Sequence, residues 1–114
     1  MVRGLASDLP AGVDLSKAKA WIKIDGTGTI GIDISFNINS ITDQGTGQYY
    51  VVFGVPFKTA DYIIAGSCQD SNAATVSIGA VFSYKAGINT HDHQGSAQDT
   101  DPIYVVFFGE LENE

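Results

Sequence analysis

Short strand-like runs with regular turn signals between them, thirteen glycines and three prolines, and no helical spacing beyond a turn or two predict an all-β protein. The expected form is an antiparallel sandwich or barrel. Of the two we expect a single β-sandwich, jelly-roll-like, over residues 18–114, with an extended arm or linker over residues 1–17. A chain of 114 residues holds one domain with a real core but not two, and an apolar content of 44% is enough for it to fold.

In chain order, the arm "SDLPAGVDLSK" is polar and turn-rich, with no sustained periodicity. "KAWIKI" then opens a series continued by "TIGIDISFNI", "YYVVFGV", "YIIAGSC", "TVSIGAVFSY" and "IYVVFFG". Between them lie the connectors "SITDQGTGQ", "PFKTA", "QDSNAA" and the long polar stretch "KAGINTHDHQGSAQDTDP". Cys68 is the only cysteine, which excludes an internal disulfide and a CxxC metal knuckle; on its run it reads as a small buried hydrophobe.

"DGTGTIG" at residues 25–31 spells G-x-G-x-x-G, the fingerprint of a dinucleotide site when a strand precedes it and a helix opens at its end. Here the following residues alternate: Ile30, Ile32, Ile34, Phe36 and Ile38 fall on every second position, with Gly31, Asp33, Ser35 and Asn37 between them. Period two makes a half-buried strand, so the glycines join strand to strand and Asp25-Gly26 is a hairpin turn. The nucleotide reading fails for want of its helix.

A net charge of −7 argues against nucleic acid, since phosphate binding needs clustered Lys and Arg. No segment reaches the ~20 apolar residues of a membrane helix, and the N-terminus lacks the apolar stretch of a secretory signal. Arg3, Lys17, Lys19 and Lys23 give the chain a basic entry, and the residues beyond Lys85 carry acids alone.

"IYVVFF" and "YYVVF" are apolar on both faces: Tyr104, Val106 and Phe108 alternate with Ile103, Val105 and Phe107. Strands covered on both faces normally lie beneath helices, and this chain has none to offer. The second cover is another subunit, a folded-back loop or the other sheet's edges; a tightly closed barrel is the alternative. We expect the subunit.

Residues 19–53 resemble a β-domain of bacteriophage tail and fibre proteins. Its pattern opens K-A-W, turns through N/D-G-T-G-T and continues S-F-N … S-I-T-D-x-G-x-G-x-Y-x-V-x-F. Lys19, Ala20 and Trp21 match the opening, and Gly26, Thr27, Gly28 and Thr29 match the turn. Ser35, Phe36, Asn37, Ser40, Ile41, Thr42, Asp43, Gly45, Gly47, Tyr49, Val51 and Phe53 match the second block. "DYIIAGSC" and "VVFFGE" are similar to later strands of the family, and residues 71–100 depart from its pattern. On this reading Trp21 is a core anchor between the sheets, with Phe36, Tyr49 and Phe53 beside it. Ser40 to Asp43 would form a capped turn leading to the Gly45–Gly47 hairpin.

The resemblance implies a place in virions and no active residues. The chain itself offers no G-x-S-x-G and no HExxH, and "QDTDP" lacks a calcium loop, so an enzyme is not expected. Three functions compete. The first is a tail-fibre or appendage domain that meets a host-surface receptor, a glycan. The second is a capsid-decorating or cement subunit, favoured by small size and the absence of a fibrous repeat. The third is a free lectin-like carbohydrate-binding module, which exposed aromatics would favour and a buried Trp21 would oppose. The partners expected are copies of the chain in a homotrimer, virion proteins met through the arm, and the glycan. On an extended backbone His91 and His93 share a side, so three chains could bring six imidazoles to iron or another octahedral metal on the axis.

Overall fold

Among the described residues eight strands form two four-stranded antiparallel sheets that face each other across an apolar core, a β-sandwich as expected. The computed structural model describes residues 15–69 and 74–114. Residues 1–14 of the expected arm and 70–73 of the expected connector lie outside the described residues. The strands are β1 (Ala20–Asp25), β2 (Gly31–Phe36), β3 (Ile38–Gly45), β4 (Gln48–Phe53), β5 (Ile63–Cys68), β6 (Thr75–Val81), β7 (Lys85–His91) and β8 (Ile103–Phe108). The first sheet has the order β2-β1-β8-β5 and the second β3-β4-β7-β6.

Period-two alternation supplies the core. Ile22 and Ile24 of β1, Tyr49, Val51 and Phe53 of β4, Ala86 and Ile88 of β7, and Ile103, Val105 and Phe107 of β8 all point inward and are buried. Phe53 meets Phe57, Tyr62 and Phe107 edge-to-face, with ring centroids 5.0, 5.5 and 5.0 Å away. Such pairs add about 0.5–1.5 kcal/mol each to the burial of the rings. The cluster closes one end of the sandwich. Beside it Lys19 and Glu114 form a largely buried ion pair that ties the residue before β1 to the C-terminal residue.

The "TIGIDISFNI" run is not one strand. It breaks at Asn37, where the chain leaves the first sheet as β2 and enters the second as β3. Asn37 stands in the left-handed region (φ 57°), which Asn tolerates better than other side chains. Its Nδ2 donates to the carbonyls of Lys19 (3.2 Å) and Val55 (3.1 Å), and its Oδ1 accepts from the Val55 amide (2.6 Å). One side chain therefore straps the crossing to both neighbouring segments.

Five further expectations are corrected. Trp21 is no core anchor: Ala20, Ile22 and Ile24 take the inward positions of β1, so Trp21 points outward and stacks on Phe36, centroids 6.1 Å apart. Two apolar residues of β2 are likewise not on its core side, because Phe36 opposes Trp21 and Ile34 opposes Lys23 on the outward face, whereas a register shift sets Ile32 opposite the inward Ile24. Ser40 to Asp43 belong to β3 and do not form a turn, although Asp43 does cap the hairpin tip through the Gly45 amide (3.0 Å). Within the long polar stretch, residues 85–91 form a strand, β7, which lies inside the second sheet between β4 and β6. Cys68 ends β5 half-buried, against the core and not within it.

Candidate functional site

The G-x-G-x-x-G segment is the loop of the β1–β2 hairpin, whose register runs to the pair Asp25↔Gly31. Asp25 Oδ1 accepts from the Thr27 amide (2.9 Å) and the Thr27 hydroxyl (2.6 Å). The hydroxyl bond and then the amide bond hold this exposed carboxyl below the usual value. Gly26 is required by close approach: a Cβ there would stand 2.6 Å from Tyr49 Oη and 2.7 Å from the Thr100 carbonyl. The glycine makes room for a protein loop.

That loop, between β7 and β8, is fastened to both hairpins of the same end. The Gly26 amide donates to Thr100 O (2.9 Å), and Asp99 Oδ1 accepts from the Gly47 amide (2.8 Å) and the Tyr49 hydroxyl (2.8 Å). Burial, followed by the bond to Asp99, pushes the Tyr49 phenol well above its ordinary range. A Cβ on Gly47 would lie 2.4 Å from the Thr90 carbonyl, so the β3–β4 tip also depends on glycine. Tyr49 and Asp99 act here as a lock on the loop.

His91 precedes a turn and His93 lies within it. His91 ends β7, where it opposes Thr75, and the backbone then reverses, with the Asp92 amide bonded to Ser96 O (2.9 Å) and the Gly95 amide to Asp92 O (3.0 Å). Asp92 Oδ1 accepts from the amides of Ser96 and Gln94, which, in that order, lower its pKa. The extended backbone that would align the two imidazoles thus stops at Asp92. Among the described residues no three His, Cys, Asp or Glu side chains gather as a metal set within one chain.

The two outward faces differ. On the first sheet Ile34, Phe36 and Trp21 continue across β8 through Tyr104, Val106 and Phe108 to Ile63 of β5. Ile34, Phe36 and Ile63 are 57%, 52% and 69% exposed. Small residues of β5, Ala65 to Ser67, leave a hollow of about 250 Å³ beside Tyr104 and Val106. A larger hollow, about 370 Å³, lies at the β5 edge between Lys58, Asp61, Ile63 and Phe108, and Leu15, the first described residue, reaches it.

The outward face of the second sheet is polar and grooved. The pairs Gln48↔Asn89 and Tyr50↔Gly87 place three polar or aromatic side chains around a glycine. In β6 the register shifts between Ile78 and Val81, so Gly79 and Ala80 bulge toward Gly87. A Cβ on Gly87 would stand 3.1 and 3.2 Å from the Ala80 backbone nitrogen and oxygen. The result is a groove of about 310 Å³ with Gly87 as its floor, the bulge as one wall, and Gln44, Gln48, Tyr50 and Asn89 around it. Bulges commonly re-aim chains beside binding sites. Lys85 Nζ stands 4.2 Å from the Tyr50 ring centroid, and 5.3 and 5.6 Å from those of Phe82 and Tyr84. The lysine holds the Tyr50 ring and links the groove to the exposed Phe82–Tyr84 pair, whose centroids are 5.6 Å apart.

The sequence did not single out this groove, because its residues come from separate strands. The available signal was strand parity, which puts Gln48 with Tyr50 and Gly87 with Asn89 on one face of adjacent strands. The chain matches no family model, no curated protein and no solved structure with which it was compared.

Proposed function

We propose that the chain is a non-enzymatic structural subunit of a bacteriophage virion, an appendage or tail-fibre domain that works as a homotrimer and attaches to host-surface glycans. The observation that carries the reading is the apolar outward face of the first sheet, from Ile34 and Phe36 to Ile63, beside a core already complete without it. An apolar surface that runs across a sheet, interrupted here by Lys23 between Ile34 and Tyr104, marks an interaction face. Copies of this chain are the occupant we assign, in keeping with the trimeric habit of the fibre proteins that residues 19–53 resemble. The acidic side chains with clear partners support a structural role: Asp25, Asp43, Asp92 and Asp99 each accept backbone amides at turns or loop anchors.

An octahedral ion at His91 and His93 belongs to the trimeric reading, since three chains are needed to supply six nitrogens. Elemental analysis of the trimer decides it. A second reading, a free lectin-like carbohydrate-binding module, is favoured by Trp21, Phe82 and Tyr84, all turned outward. Light scattering of the full chain at micromolar concentration tests the main reading, with three chains expected and a single-chain mass overturning the trimer. Labelling in images of the parent particle tests the virion address, and its absence from the particle leaves the lectin.

A further inference from the structure

We infer that the groove on the outward face of the second sheet is the sugar-binding site, and that its ligand is a neutral oligosaccharide. The inference rests on the reading of the chain as a glycan-attachment domain and names the place and the sugar class.

Three features carry it. The first is the chemistry of the lining. Gln44, Gln48 and Asn89 bring three carboxamides to one groove. Each offers a carbonyl acceptor and two N–H donors, the combination that adjacent sugar hydroxyls satisfy from both sides. Among the described residues no carboxylate lines the groove.

The second is shape. The Gly79–Ala80 bulge packs onto Gly87, where a Cβ would meet the Ala80 backbone at 3.1 and 3.2 Å, and a groove of about 310 Å³ is left beside it on the sheet. A glycan is a hydrated, flexible ligand, and a channel between fixed walls limits the ordering it must undergo on binding.

The third is the aromatic end. Tyr50 walls the groove, fixed by the Lys85 ammonium over its ring. Phe82, and Tyr84 at 50% exposed, extend the apolar surface beyond it. Aromatic faces carry the negative side of a quadrupole and attract the polarised C–H face of a sugar ring. From β7 the groove itself takes Gly87 and Asn89, and the strand runs about 13 Å from Asn89 to Lys85, so a ligand that reaches from the groove to the aromatic end spans more than one ring and is an oligosaccharide. Its neutrality follows from the charges. Lys85, the cation beside the groove among the described residues, is engaged with three rings, and the chain as a whole carries −7, which opposes an acidic sugar.

The test is titration of the ¹⁵N-labelled full chain with neutral di- to tetrasaccharides of glucose, galactose, mannose and N-acetylglucosamine, and with the same sugars bearing a uronic or sialic acid. The side-chain NH₂ signals of Gln44, Gln48 and Asn89 should shift together and saturate with at least one neutral sugar. Tyr50→Ala should weaken that binding about tenfold or more, while Tyr50→Phe retains it. The wild-type signals make the result independent of how well Tyr50→Ala folds. The inference is overturned by the absence of saturable shifts with every neutral sugar. Binding confined to acidic sugars, or shifts centred on Trp21 and Phe36, also overturns it. Mass measured on the same samples separates the two readings. A trimer indifferent to all neutral sugars removes the groove and keeps the assembly, whereas a monomer that binds through the three amides keeps the groove and removes the trimer.

Discussion

The two sheets have the same number of strands and share one core, yet their outward faces are opposite in character. The first sheet turns outward Trp21, Ile34, Phe36, Tyr104, Val106, Phe108 and Ile63. The second turns outward Gln48, Tyr50, Gly87 and Asn89 around a bulge. The difference originates in strand parity. In β8 both parities are apolar, so filling the core leaves an apolar remainder outside. In β7 the core takes Ala86, Ile88 and Thr90, and the remainder is small or polar. What a strand does beyond folding is decided by the residues its core does not use.

The largest expected effect breaks this contrast at the apolar face. Ile34→Asp and Ile63→Asp, both at exposed edge-strand positions, should each convert the proposed trimer to single chains while circular dichroism stays that of the wild type. Gln48→Ala on the opposite face should leave the mass unchanged. Retention of three chains by both Asp variants would remove the first sheet as the assembly surface.

Asn37 is the next, because it holds the crossing from one sheet to the other. Asn37→Ala should cost about 2–4 kcal/mol in denaturant unfolding, from the unsatisfied partners of its three hydrogen bonds and the left-handed backbone. Asn37→Gly should recover about 1 kcal/mol by relieving the backbone alone. Equal losses in the two variants would show that the side-chain bonds account for the whole effect.

The smallest effect concerns the aromatic end of the groove. Tyr62, just before β5, donates its hydroxyl to the carbonyls of Phe82 (2.7 Å) and Lys85 (3.2 Å). Burial pushes its pKa up to about 12 from 10.0. The neutral phenol is thus favoured in the folded state, so its contribution is complete below pH 10 and is lost as pH rises through about 12. Tyr62→Phe should show a shallower loss of stability over that window than the wild type, read from thermal unfolding at successive pH values.

The sandwich itself was legible because period two survives in most strands. Residues 85–91 read as loop in the sequence because "KAGINTH" fills its inward positions with Ala86, Ile88 and Thr90, too little apolar volume to stand out from a polar stretch. Trp21 was misplaced by size: its parity, shared with Lys23 and Asp25, already put it on the outward side. Asn37 was hidden by the alternation around it, since a polar residue between Phe36 and Ile38 looks like one more outward position. The loop lock was out of reach for a different reason. Gly26, Gly47, Tyr49 and Asp99 meet across hairpins far apart in the chain, and no local pattern encodes that meeting.

The position of β8 has a consequence for when the apolar face comes into being. β8 is the last strand in the chain and lies inside the first sheet, between β1 and β5. Hairpins β3–β4 and β6–β7 close over short loops, whereas Ala20 pairs with Phe107 across most of the chain. During synthesis the strands of the second sheet are therefore all available before the first sheet has its centre. Until Ile103–Phe108 arrives, β1 and β5 have no strand between them, and Trp21, Val106 and Ile63 belong to no common surface.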